Sequence, residues 1–158
     1  MRESTRKKVI LTACCLLMVV AIAPLCAADD LKIPEANIIA PGTDIPEDIR
    51  VFSGRWKGRW TSWACPPNHG LDAIIVVEKI TPIKAKCQYS WGNDVGWGQA
   101  SGCVTIKSAK FERIEGKLYL TWTTRSGKPF HFWVEDGKLK GKIGPLTNNP
   151  YEVIMSRF

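Results

Sequence analysis

The chain has 158 residues, enough for one domain. Apolar residues make up 45% and charged residues 23%, which excludes a disordered, collagen-like or coiled-coil chain. The formal net charge of +7 is unevenly spread: residues 1–28 carry +3, residues 29–50 carry −4 and residues 51–158 carry +8.

The basic head Arg6-Lys7-Lys8 precedes an apolar run from Val9 to Leu25, and Cys26-Ala27-Ala28 supplies a small-residue exit. This pattern predicts a secretory signal peptide over residues 1–28. The run is interrupted and short for a spanning helix, which needs about 20 apolar residues. The alternatives are an uncleaved anchor and a lipid-anchored cysteine. For the latter, Cys14 follows too little apolar run and Cys26 follows the large Leu25. No second long apolar segment follows. The expectation is a soluble mature protein exported to a bacterial periplasm or beyond.

Residues 29–44 hold Pro34 and Pro41, show no sustained period and read as an acidic extended arm. Thr43-Asp44-Ile45-Pro46-Glu47-Asp48 has the marks of a helix start: a capping side chain, an early proline and acids in the first turn. A short helical piece over about residues 45–51 follows, ended by Gly54.

From Phe52 the apolar period becomes two. Phe52, Gly54, Trp56, Gly58 and Trp60 alternate with Ser53, Arg55, Lys57 and Arg59, which predicts a half-buried strand with a basic outer face. Seven further strands are predicted at Leu71–Ile80, Lys84–Trp91, Cys103–Phe111, Lys117–Thr123, Pro129–Glu135, Lys138–Ile143 and Tyr151–Phe158. Glu115-Gly116, Ser126-Gly127-Lys128 and Asp136-Gly137 are hairpin turns. Short connections force antiparallel neighbours, and the lack of intervening helical periods excludes a parallel βαβ fold. Eight strands with one apolar face each favour closure, which removes both edges. Residues 45–158 are therefore predicted to form an eight-stranded up-and-down β-barrel, with a two-sheet sandwich as the alternative. The loops at Ser62–Gly70, Gly92–Gly102, Thr124–Lys128 and Gly144–Pro150 are the long ones and share one end. That end is the expected mouth, where barrels bind ligands.

Gly54-Arg55-Trp56 opens the first strand, Gly58-Arg59-Trp60 repeats the spacing, and Arg157 ends the last strand with the inward parity of Val153 and Met155. In an up-and-down barrel those two places share one end. The layout resembles the calycins, the superfamily of lipocalins, fatty-acid-binding proteins and avidins, whose marker is Gly-x-Trp at the start of strand one. The resemblance implies that Trp56 lies across the closed end beneath Arg157, with about 0.5–2 kcal/mol of cation–π attraction. The chain is shorter than a typical lipocalin and lacks its later helix, so the resemblance does not specify a ligand.

Beyond residue 28 three cysteines remain, Cys65, Cys87 and Cys103. Export permits disulfides. Cys65 and Cys103 both belong to the mouth, so a Cys65–Cys103 bridge with Cys87 as a buried thiol is expected. Cys87–Cys103, or three free thiols, are the alternatives.

The mouth loops offer Trp63, His69, Asp94, Trp97, Arg125 and Asn149. Cys65 and His69 lie four apart, but no orienting acid accompanies them as a nucleophilic pair would need. Zinc needs three or four ligands and the chain has two histidines, so no metal or other cofactor and no catalysis are expected. Trp56, Trp60, Trp91 and Trp122 have inward parity and read as core filler, which points to a small cavity or none. The leading expectation is a non-enzymatic module that holds a small apolar or amphipathic molecule at the mouth, using Trp63, Tyr89, Trp91, Trp97, Phe132 and Arg125. The alternatives are an envelope protein- or glycan-binding module using the outer basic and aromatic surface, and a Cys65–His69 enzyme. An exported protein seldom meets nucleic acid, so none is expected as a partner.

Overall fold

A computed structural model of the chain describes residues 31–64, 69–92, 100–148 and 150–158. The predicted signal segment lies outside the described residues. Among those described, no helix is long and apolar enough to cross a membrane. A one-turn helix, α1 (Glu47–Arg50), precedes eight strands: β1 (Gly54–Ser62), β2 (Leu71–Ile80), β3 (Lys84–Trp91), β4 (Gly102–Ile114), β5 (Lys117–Thr123), β6 (Pro129–Glu135), β7 (Lys138–Ile143) and β8 (Tyr151–Arg157). Each pairs antiparallel with the next, and β1 pairs with β8, so the sheet is a closed barrel in sequence order. The sandwich alternative is thereby removed.

Local chemistry accounts for the meander. Glu115-Gly116 and Asp136-Gly137 both turn with positive φ at both residues, the twist-compatible geometry of two-residue hairpins. The helical piece is shorter than predicted, and β1 starts two residues later. Phe52 leaves the strand to plug the closed end, where its ring meets Phe111 edge-on at 5.3 Å. β4 runs three residues past its predicted end, to Ile114.

The closed end is tied by one guanidinium. Trp56 and Arg157 face each other across the β1–β8 ladder, with the Arg157 Cζ 4.1 Å from the centre of the buried Trp56 ring. Arg157 Nη1 donates to the Ser53 carbonyl and Nη2 to the Val51 carbonyl, each at 2.6 Å. The Trp56 indole N–H donates to the Phe52 carbonyl at 2.9 Å. Gly54 is required twice over. Its φ is +123°, and a Cβ there would stand 2.5 Å from Arg157 Nη1.

The arm is docked. It runs down the outside of the barrel from the mouth to the closed end, along β2 and β3. Ser90 Oγ donates to the Lys32 carbonyl at 2.8 Å and Gln88 Nε2 to the Glu35 carbonyl at 3.0 Å. The Ile39 N–H donates to the Glu78 carbonyl at 2.7 Å. Beneath the arm, Ile74 and Val76 point away from the barrel interior yet are fully buried. The buried Glu78 carboxyl accepts from Gln88 Nε2 at 2.7 Å and pairs with Lys86 at 2.5 Å. Burial pushes its pKa up, but these hydrogen bonds and the Lys86 charge outweigh it and hold the group below the ordinary carboxylate range. Charge complementarity would attract an acidic arm to a basic barrel, yet backbone hydrogen bonds and apolar burial hold this one. The acid–base contacts nearby belong to α1, where Asp48 pairs with Arg113 and Glu47 with Arg50.

Inside, the closed half is solid: Ile75, Val77, Leu120, Leu139 and Met155 are fully buried around Trp56. Gly141 lets the Phe132 ring lie against the wall, since a Cβ there would fall 2.5 Å from it.

Replacing Arg157 with alanine removes two charged hydrogen bonds and the ring contact. An expected loss of about 2–4 kcal/mol in urea unfolding follows. Arg157→Lys recovers only part of it, because an ammonium lacks the fork that reaches both carbonyls. A chain beginning at Thr43 leaves Ile74 and Val76 in water, and should lose about 2–5 kcal/mol by the same measurement.

Candidate functional site

The open half of the barrel holds a cavity of about 770 Å³. Beneath the lining, as its floor, Trp60 is fully buried and donates its indole N–H to Tyr89 Oη at 2.9 Å. Trp60 also meets Phe130 and Phe132 edge-on, each at 5.8 Å. Above this floor the walls carry Tyr89 and Trp91 of β3, Ile106 of β4, Trp122 of β5, Phe130 of β6 and Ile143 of β7.

The expectation of little or no cavity fails because the upper tryptophans lie along the walls. Trp122 stacks on Phe130 at 5.2 Å and 8°, and on Phe132 at 4.9 Å and 14°. Trp91 stacks on Tyr89 at 5.4 Å and is pinned by its N–H to the Ala100 carbonyl at 2.8 Å. Gly102 makes room for that indole, since a Cβ there would lie 2.4 Å from it. Rings stacked face to face along a wall leave the middle open, whereas the same rings lying across it would fill it. Burial pushes the Tyr89 phenol well above its ordinary pKa, only partly offset by the Trp60 hydrogen bond, so the hydroxyl stays neutral.

The wall is interrupted on one side. Pairing between β4 and β5 stops at Lys110–Thr121, and Gly102–Ser108 is paired only with β3 among the described residues. Val104 and Ile106 line the cavity beside this seam, and Val104 is 43% exposed. The rim is the β5–β6 turn, which contributes Thr123, Thr124, Arg125, Ser126 and Lys128. The turn is closed on itself by Thr124 N–H to Lys128 carbonyl at 2.9 Å and Lys128 N–H to Thr124 Oγ1 at 3.0 Å.

Of the residues predicted to hold a ligand, Tyr89, Trp91 and Arg125 line the cavity together. Phe132 does not. It lies opposite Leu120 and Gly141, one layer below the floor, and is fully buried; Phe130, two residues nearer the mouth, lines the cavity in its place. Trp63 is 76% exposed in the turn after β1 and is not among the lining residues. Trp97, Asp94, Asn149 and Cys65 lie outside the described residues. Sequence reasoning set Trp122 aside as filler and passed over Phe130 and Ile106, although all three have the inward alternation of Tyr89 and Trp91.

The predicted Cys65–Cys103 bridge has one partner outside the described residues; Cys103 is exposed, and no disulfide is present among those described. The alternative Cys87–Cys103 bridge is absent as well, because Cys103 stands opposite Ser90 on the outer face while Cys87 points inward opposite Ile106. Burial, with a smaller push from the Glu78 charge, raises the Cys87 thiol to about 12, so it is a protonated core group. No cluster of three possible metal ligands occurs among the described residues.

Part of the outer basic face is paired with its own carboxylates. Lys140 and Lys117 both bond Glu135, which holds that carboxyl down at about 2. Lys142 pairs with Glu152 at 3.1 Å and Arg59 with Asp72 at 2.9 Å. Tyr119, His131 and Trp133 cluster there, with Lys117 Nζ 4.5 Å over the Trp133 ring.

No protein-family model and no curated protein matches the chain. Among solved structures it is similar to a de novo designed fluorescence-activating β-barrel, with a TM-score of 0.50 and 12% identity, over 72% of this chain and all of that one. At that identity the likeness concerns the fold alone. By its own strand pairing the chain is a closed, eight-stranded, all-antiparallel β-barrel.

Proposed function

We propose that this chain is a non-enzymatic binding module that holds a small apolar or amphipathic molecule in the open half of its barrel. One observation carries the reading: a preformed cavity of about 770 Å³, walled by stacked aromatic rings and fixed from below by the Trp60–Tyr89 hydrogen bond. Ligand pockets are concave, mostly apolar and largely preformed, with a few polar groups for orientation. Binding then draws on apolar burial, at about 25 cal/mol for each Å² removed from water, less the cost of immobilising the ligand. Two further points support it. The guanidinium over Trp56 is the arrangement that membership of the calycins implies. A barrel of similar fold has been designed to activate fluorescence. The outer surface is the weaker site, because Lys117, Lys140, Lys142 and Arg59 already have carboxylate partners. The predicted signal segment places the module in the bacterial envelope in this reading.

Titration with the neutral probe phenylnaphthylamine should give a saturable, blue-shifted emission from the folded chain. Ile106→Trp fills the cavity from β4 and should weaken that binding at least about tenfold, with the thermal midpoint little changed. No saturable emission, or equal binding by the filled variant, overturns the reading.

A further inference from the structure

We propose that the ligand of this cavity is an anion: a small amphiphile with an apolar body and one carboxylate- or sulfonate-like group, received at the rim by Arg125 and Lys128. The inference rests on the binding reading above and adds the sign of the ligand's charge.

The lining has a polarity. Below, it is aromatic and aliphatic. At the rim, the β5–β6 turn brings two cationic side chains and three hydroxyls, and no carboxylate is among the described lining residues. Elsewhere on the barrel several basic side chains stand beside acids, as in Arg59–Asp72, Lys86–Glu78, Arg113–Asp48 and Lys142–Glu152, whereas, among the described residues, outer-face lysines such as Lys57 and Lys84 do not. Arg125 and Lys128 take part in no such pair among the described residues. A neutral ligand would gain nothing from two like charges held three residues apart over an apolar cup.

The turn that carries them is pre-ordered. Thr124 and Lys128 close it from both directions, the Gly127 N–H donates to the Thr124 carbonyl at 3.0 Å, and Gly127 takes φ +81°, which other residues rarely adopt. Thr124 Oγ1 and Ser126 Oγ share a hydrogen bond at 2.9 Å, which orients hydroxyls on the same rim. An anion seated there meets charge-assisted donors beside a wall of low polarity. The net charge of +8 on residues 51–158 draws anions toward the mouth from farther away.

Two probes separate this from the parent reading, because they differ by one sulfonate: neutral phenylnaphthylamine and anilinonaphthalene sulfonate. The quantity read is the ratio of their affinities for the full chain. In the double variant Arg125→Gln/Lys128→Gln the ratio should shift about tenfold toward the neutral probe. The exchange Arg125→Lys/Lys128→Arg should keep it near the wild-type value. Lys57→Gln/Lys84→Gln removes the same net charge from the outer face, and should leave the ratio alone. A ratio unchanged in the rim double variant overturns the anion assignment and leaves the cavity reading standing. An equal shift from the outer-face variant also overturns it, since net charge alone would then account for the preference. Failure of both probes to bind overturns both readings together.

Discussion

The guanidinium of Arg157 is where the chain's two ends are made to agree. It lies on the last residue of β8, covers a ring on β1, and holds two carbonyls of the turn that leads into β1. Ring closure brings residues a hundred positions apart into one ladder, and loop-closure entropy makes such contacts hard to form. A side chain with five donors in a planar fork suits that position, because it satisfies turn carbonyls that the ladder itself cannot reach. Gly54 completes the arrangement by leaving the guanidinium its place.

With the base sealed, the interior divides by ring orientation. Trp56, Phe52 and Trp60 fill space from below, while Trp91 and Trp122 lean against the walls. Small residues decide which rings do which. Gly102 and Gly141 each clear a wall position that a neighbouring ring then occupies. An eight-stranded barrel is just wide enough for side chains or for one small ligand. This one takes the first option in its lower half and leaves its upper half open.

Much of the fold was legible in the sequence. Period-two alternation and two-residue turn signals placed five of the eight strands at their observed bounds, and parity permitted the Trp56–Arg157 contact that the calycin resemblance implied. The site was less legible. Parity says which residues face inward, but not at which height or in which rotamer, so Phe132 was expected one layer too high and Trp122 was taken for filler. The β4–β5 seam depends on where two strands diverge, and no local residue pattern records that. The docked arm did leave a sign. Ala73-Ile74-Ile75-Val76-Val77 is apolar at every position, and a barrel strand with a solvated outer face would alternate. The unbroken run meant that something covers the outside of β2.

That cover has a direction. Lys32 is fastened beside Ser90, near the opening, and Ile39 beside Glu78, near the base. Leu31, where the described arm begins, therefore stands on the barrel's open side. A tether joined at that point, whether a support or a fusion partner, holds the module with its entrance turned toward the tether and its sealed base turned away.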